Sequence, residues 1–194
     1  MNRLTPARWG GVPAQSLTKP GPLQAGSRMG PHMSWNDVLA TSGSGWTVLV
    51  RLLVGLVVFV PEGIQKLVFP DVLGAGRFAR IGIPLPELMG PFVGVVEIVC
   101  GLLIIIGLFT RLAAIPLIII MIVALVSTKL PILLGHDVLL FHLSADIKRL
   151  GFWSMLHEAR ADLTMLLGNI YLLIEGGGRW SLDAALSSRL RSQA

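Results

Sequence analysis

Two runs without an ionisable side chain, 101–109 and 112–126, flank the dipeptide Thr110-Arg111. A chain of 194 residues has too little interior to hide both from water. A membrane span takes about 20 mostly apolar residues, and four segments qualify: 46–67, 87–109, 112–134 and 153–174. Composition agrees, with 53% hydrophobic and 14% charged residues and a mean hydropathy of +0.73. The expected fold is all-α, a bundle of four transmembrane helices.

Charges interrupt these apolar runs at Arg51, Glu62, Lys66, Glu97, Lys129, Glu158, Arg160 and Asp162. Inside a bilayer such groups are costly, face the bundle interior and mark function by default. Threaded alternately, the first and third spans carry Glu62, Lys66 and Lys129 near one end. The second and fourth then bring Glu97, Glu158, Arg160 and Asp162 to a similar level, Glu97 lying roughly 15 Å from the start of its helix. Helical rotation aligns Arg51, Gly55, Phe59, Glu62 and Lys66 on one face, with Glu62 and Lys66 paired at i,i+4. Gly90, Gly94, Glu97 and Gly101 share a face that lets another backbone approach closely. On the fourth span Glu158, Asp162 and Asn169 align.

Segment 1–33 has a different composition. Met1–His32 carries four bases, five prolines and no acid, and is expected to be disordered or a non-native extension, with Met33 as an alternative start. It lacks the apolar core of a secretory signal. The membrane domain is placed at 34–186 and a flexible tail at 187–194. Excluding bases embedded in spans, eight Lys and Arg lie on the side of the termini against four on the other, which predicts cytoplasmic termini. The net charge of +5 comes without an aromatic-interleaved basic patch, so no nucleic-acid partner is expected. One cysteine, Cys100, excludes an internal disulfide and a CxxC redox pair.

In this setting the chain resembles the DoxX family of small four-helix membrane proteins. The motifs are Gly63-Ile64-Gln65-Lys66-Leu67, Phe92-Val93-Gly94-Val95-Val96-Glu97 with Cys100-Gly101, Gly107-Leu108-Phe109-Thr110-Arg111 and Thr128-Lys129-Leu130-Pro131. His157-Glu158-Ala159-Arg160-Ala161-Asp162 and Gly178-Arg179-Trp180-Ser181-Leu182-Asp183 complete an order-preserving match over 46–186. Glu62, just ahead of the GxxK pattern, adds an acid beyond it. The resemblance implies a multi-pass protein of the bacterial plasma (inner) membrane associated with respiratory, sulfur or thiol redox chemistry. Related DoxD subunits belong to thiosulfate:quinone oxidoreductases.

The candidate site comprises Glu62, Lys66, Glu97, Lys129, Glu158, Arg160 and Asp162; no catalytic residue or metal ligand is assigned. In one reading it takes a quinone headgroup, a proton or a small anion, with Lys66, Lys129 and Arg160 as donors and the carboxylates as proton relays. In the other, four acids and four bases simply pair. Haem is not expected, because His157 lacks a facing partner and His136 and His142 fall in a connection. Trp46, Trp153 and Trp180 fit an interfacial belt, Pro61 and Pro116 are expected to kink their helices, and 70–86 is expected to cover the cluster. As to function, an accessory subunit of a quinone-linked or thiol/sulfur redox complex, with redox protein partners and surrounding membrane lipids, stands beside two alternatives. These are a small transporter for an ion or organic anion, and a scaffold without chemistry of its own.

Overall fold

A computed structural model describes residues 39, 41, 43–145 and 147–193. Segment 1–33, read above as disordered or non-native, lies outside the described residues. Long apolar runs form helices because a backbone deprived of water must satisfy its own N–H and C=O groups. The helices are α1 (Thr47–Val68), the short α2 (Ala75–Arg80), α3 (Pro86–Ile106), α4 (Thr110–Leu134), α5 (Phe152–Glu175) and α6 (Leu182–Gln193). α6 carries the chain on in helix through 187–193.

Helices α1, α3 and α4, at 22, 21 and 25 residues, are long and apolar enough to cross a membrane. α5, with 24 residues, is equally long, but Glu158, Arg160 and Asp162 crowd its first half. Each long helix packs against two others, α1 on α3 and α5, α4 on α3 and α5, so the four close into a bundle. Its interior holds Val54, Ile104, Leu117, Met121, Met165 and Leu172, with Cys100 among them. The outside is as apolar as the inside: Leu53, Val60, Val99, Ile119 and Leu167 are all exposed. Such a surface suits lipid and not water. Trp46, Trp153 and Trp180 stand exposed at the helix ends, where an interfacial belt belongs.

Glycine sets how closely α1 and α3 approach. A Cβ at Gly101 would lie 3.0 Å from the backbone nitrogen of Phe59, and one at Gly63 3.0 Å from that of Ile98. The expected glycine face of the second span is therefore the face that α1 covers.

At the pole where α1 begins, one arginine and one aspartate tie up backbone ends. Arg51, 3% exposed, donates from Nε to the Ile104 carbonyl at 3.0 Å and from its terminal nitrogens to Ile105, Gly177 and Trp180 at 2.7, 2.9 and 2.7 Å. It therefore caps the C-terminus of α3, where carbonyls lack partners and the helix dipole favours a cation. Asp183 does the converse: its carboxylate accepts from the Phe109 and Thr110 N–H groups at 2.7 and 3.0 Å, opening α4. This contact holds Phe109 at φ 48, strained for a side chain with a Cβ. Gly107, at φ 72, ends α3. The predicted boundaries 87–109 and 112–134 accordingly shift to Ile106 and Thr110.

The prolines act differently from expectation. α-Helix runs unbroken through Pro116, whereas Pro61 sits in a π-helical stretch, Val58–Ile64. A second π stretch, Leu125–Lys129, precedes Pro131. Pro61 and Pro131 cannot donate to the carbonyls four residues earlier, and a wider turn accommodates that loss.

Replacing Arg51 by Met takes a donor from four carbonyls, and we expect a loss of about 3 kcal/mol in a denaturant titration of the detergent-solubilised protein. Gly101→Val should separate α1 from α3 and lower the melting temperature more than Gly43→Val, where a Cβ has open space. In the α4–α5 connection, Asp137 accepts from the Leu143 N–H at 2.7 Å and from His142 Nδ1 at 2.9 Å. These bonds, the backbone one foremost, hold its carboxyl below the ordinary value. Their contribution is full above about pH 4 and disappears as pH falls through the depressed value. The Leu143 amide shift, followed by NMR, should titrate at that lower pH and lose its titration in Asp137→Asn.

Candidate functional site

The two π stretches lie at the opposite pole, where the charges gather. Widened turns re-aim side chains and recur at functional sites. The first contains Glu62, one turn ahead of Lys66; the second ends on Ser127, Thr128 and Lys129.

Lys66 is the hub. Its ammonium lies 3.0 Å from Glu62 Oε2 and 2.8 Å from Glu97 Oε2, and it donates to Glu97 Oε1 at 3.1 Å and to the Glu62 carbonyl at 3.1 Å. Glu97 is 1% exposed and Glu62 32%, so the trio runs from the bundle interior to its rim. Although Glu97 Oε2 has the ammonium nearby, no donor points along a hydrogen-bonding direction to it. On the other side, Lys129 pairs with Asp162 at 3.3 Å.

Between these groups lies a cavity of about 320 Å³. Glu62, Lys66, Glu97 and Asp162 form its charged end, and Ser127 and Thr128 add hydroxyls. The Ser127 hydroxyl is buried and has no hydrogen-bond partner among the described residues. Apolar side chains make the remaining wall. Of these, Phe92 on α3 and Ile119 and Val123 on α4 are themselves exposed on the lipid-facing surface, so the cavity opens sideways between α3 and α4. Residues Leu73, Arg77, Phe78 and Ile81 close it from above. That is the cover expected of 70–86, built around α2, which packs on α3.

Six of the seven predicted site residues therefore meet at one pole, in two groups: Glu62, Lys66 and Glu97, then Lys129 and Asp162 with Glu158 beyond them. Glu158 lies half-buried on the wall of a neighbouring cavity that Lys129 shares. Arg160 stands apart. It is exposed and turns back to the carbonyl of His157 on its own helix. Two residues from Glu158 and from Asp162 is a rotation of about 200°, which puts Arg160 on the outer face of α5. Sequence reasoning missed Ser127, whose signal was a small polar residue in an apolar run four positions before a proline. It counted Arg51 among the bases that could pair with the embedded acids, whereas Arg51 serves backbone carbonyls, and nothing local links it to carbonyls more than fifty residues away.

A helical bundle with apolar exterior, charged interior and three helices able to span a bilayer is an integral membrane protein. The DoxX family model matches residues 46–130. An uncharacterized membrane protein of Mycobacterium tuberculosis is 52% identical over 156 residues, a match spanning 80% of this chain and 90% of that protein. The chain belongs to the DoxX family. No solved structure matches it.

Breaking a buried ion pair by removing one partner costs about 3 to 5 kcal/mol, because the other charge is left unpaired. Lys66→Met should lose that much, whereas Lys66→Met combined with Glu97→Leu should recover most of it. Glu62→Gln, at the rim, should cost under about 1 kcal/mol. A double-mutant cycle read by reversible unfolding in detergent checks all three, and additive effects of Lys66 and Glu97 would contradict the coupling.

Proposed function

We propose that this chain is an accessory subunit of a quinone-linked or thiol/sulfur redox complex in a bacterial inner membrane, and that its part is to hold a quinone-type headgroup in the cavity beside Glu97. The observation that carries this reading is Glu97 itself, a buried carboxylate with the Lys66 ammonium as its one ion-pair partner among the described residues, at the end of an apolar cavity open to lipid. A membrane-dissolved ring arrives from the side, sheds its contact with lipid against Phe92 and Ile119, and meets polar groups only at its tip. The volume falls within the range of about 300–1,000 Å³ usual for small-molecule sites.

The residues fit both protonation states of such a headgroup. Ser127 can donate to a ring carbonyl or accept from a ring hydroxyl. Glu97 accepts from a hydroxyl through Oε2, and the Lys66 ammonium holds the carboxylate in place while offering a charged donor at the same end. Glu62, which shares the Lys66 ammonium with Glu97 and reaches the rim, is the carboxylate that would pass on a proton. A quinone, when bound, supplies two-electron, two-proton chemistry; with a single cysteine, this chain leaves the electron carrier to a redox partner. The family membership and the membrane character of the relative support the setting. Both termini are assigned to the cytoplasm by the balance of basic residues, which puts the charged pole on the outer side.

Protein extracted in mild detergent should retain quinone by mass spectrometry and bind a short-chain quinone saturably. Glu97→Gln and Ser127→Ala should each weaken binding by about tenfold, and Ile119→Trp, which fills the cavity mouth, should abolish it. Absence of quinone with no saturable binding overturns the reading. Uptake of an ion or organic acid by quinone-free liposomes would favour the transporter, and a stoichiometric partner without either would favour the scaffold.

A further inference from the structure

A second cavity, of about 260 Å³, adjoins the first at the same pole. The two share Leu73, Arg77, Ile81 and Thr128 as a common wall. Their chemistry is opposite. Where the first is mainly apolar, the second is faced by Arg77, Arg80, Lys129 and His142, with Ser144 and a single wall carboxylate, Glu158. Arg77 and Arg80 come from α2, and His142 and Ser144 from the α4–α5 connection, all outside the spans. The vestibule therefore sits at the level of lipid headgroups and solvent.

Three permanent cations face one wall carboxylate, and with Asp162 set against Lys129 the vestibule itself keeps one positive charge, balanced only across the shared wall by the Lys66 trio with its two carboxylates. Internal pairing does not consume these donors. Arg77 makes no hydrogen bond or close ion pair to any described residue. Lys129 is 8% exposed and has one charged neighbour, at 3.3 Å. Arg80 is anchored by donating to the Asp71 and Val72 carbonyls at 3.0 and 2.9 Å, which fixes its guanidinium and leaves its charge without a counterion. His142 is likewise held from behind, its Nδ1 on Asp137 at 2.9 Å. Held cations around a recess, with hydroxyls between them, suit a tetrahedral oxyanion, whose several oxygens accept from several donors at once.

We infer that this vestibule binds a phosphate-type oxyanion, free in solution or carried on an anionic lipid headgroup, between Arg77, Arg80 and Lys129. The anion supplies oxygens to donors that no described residue accepts from and draws the Lys129 ammonium, whose one ion-pair partner is Asp162. The site adjoins the cavity beside Glu97 and shares Arg77 with it, but phosphate is read by the melting temperature and quinone by the retained ligand, so either can fail without the other.

The test uses the full chain in nanodiscs of zwitterionic phosphatidylcholine, in a buffer whose only other anion is gluconate. Inorganic phosphate should raise the melting temperature saturably, with an affinity about tenfold weaker in Arg77→Gln, preserved within a few-fold in Arg77→Lys, and unchanged in Arg149→Gln. Glu158→Gln removes the opposing wall charge and should tighten binding, a gain that loss of folding cannot mimic. If phosphate has no effect but native mass spectrometry finds phosphatidylglycerol retained over phosphatidylcholine, and this preference disappears in Arg77→Gln, the oxyanion is a lipid headgroup. The inference is overturned if neither anion binds, or if binding is the same in Arg77→Gln and Glu158→Gln as in the unaltered protein.

Discussion

Lys66 and Glu97 place opposite charges 2.8 Å apart on two helices whose only other polar tie, among the described residues, is Arg51 on the carbonyls at the opposite pole. Away from water each charge is costly by itself, so the pair is held together by the penalty of separating it as much as by its attraction. The closeness of α1 and α3 makes the contact geometrically available. Gly63 and Gly101 let the backbones approach where any Cβ would push them apart, and van der Waals packing of small residues is what joins helices in lipid. The rest of the charged pole is built around this crossing: Glu62 reaches Lys66 from the rim, and Asp162 brings the Lys129 pair to the far wall of the same cavity.

The two poles use ionised groups for opposite ends. At the pole where α1 begins, Arg51 and Asp183 spend their hydrogen bonds on backbone groups that the ends of α3 and α4 leave unpaired. The helix termini are thus sealed. At the other pole, backbone is widened into π turns, and charged and hydroxyl side chains line cavities, Glu97 and Ser127 the first, Arg77 and Lys129 the second. The first pole seals helix ends, and the second carries the charged cavities.

Much of this was legible beforehand. Apolar runs of span length located α1, α3 and α4 within a few residues, since no other fold of those runs satisfies backbone groups in lipid. Counting along alternating spans brought Glu62, Lys66, Glu97, Lys129 and Asp162 to one level, and rotation about α5 already paired Glu158 with Asp162. Arg160 was carried into the site by depth alone, and the same rotation that aligned its neighbours puts it outside. α-Helix continues through Pro116, and the π turns fall at Pro61 and ahead of Pro131. The motif ending at Asp183 and the turn at Phe109 and Thr110 appeared as separate signatures. Only folding shows that one caps the other.

The amino-acid sequence by itself determined the environment and the inventory: a lipid-embedded helical bundle, the depth of its charges, and the glycine face that a neighbour must cover. These follow from periodicities and lengths that each helix fixes locally. Tertiary structure decided which charges meet, that Arg51 serves carbonyls and not carboxylates, and that apolar and cationic cavities lie side by side behind one wall. Those outcomes depend on which helix stands beside which and at what rotation, and relations between residues fifty to more than a hundred positions apart leave no local trace in a single chain.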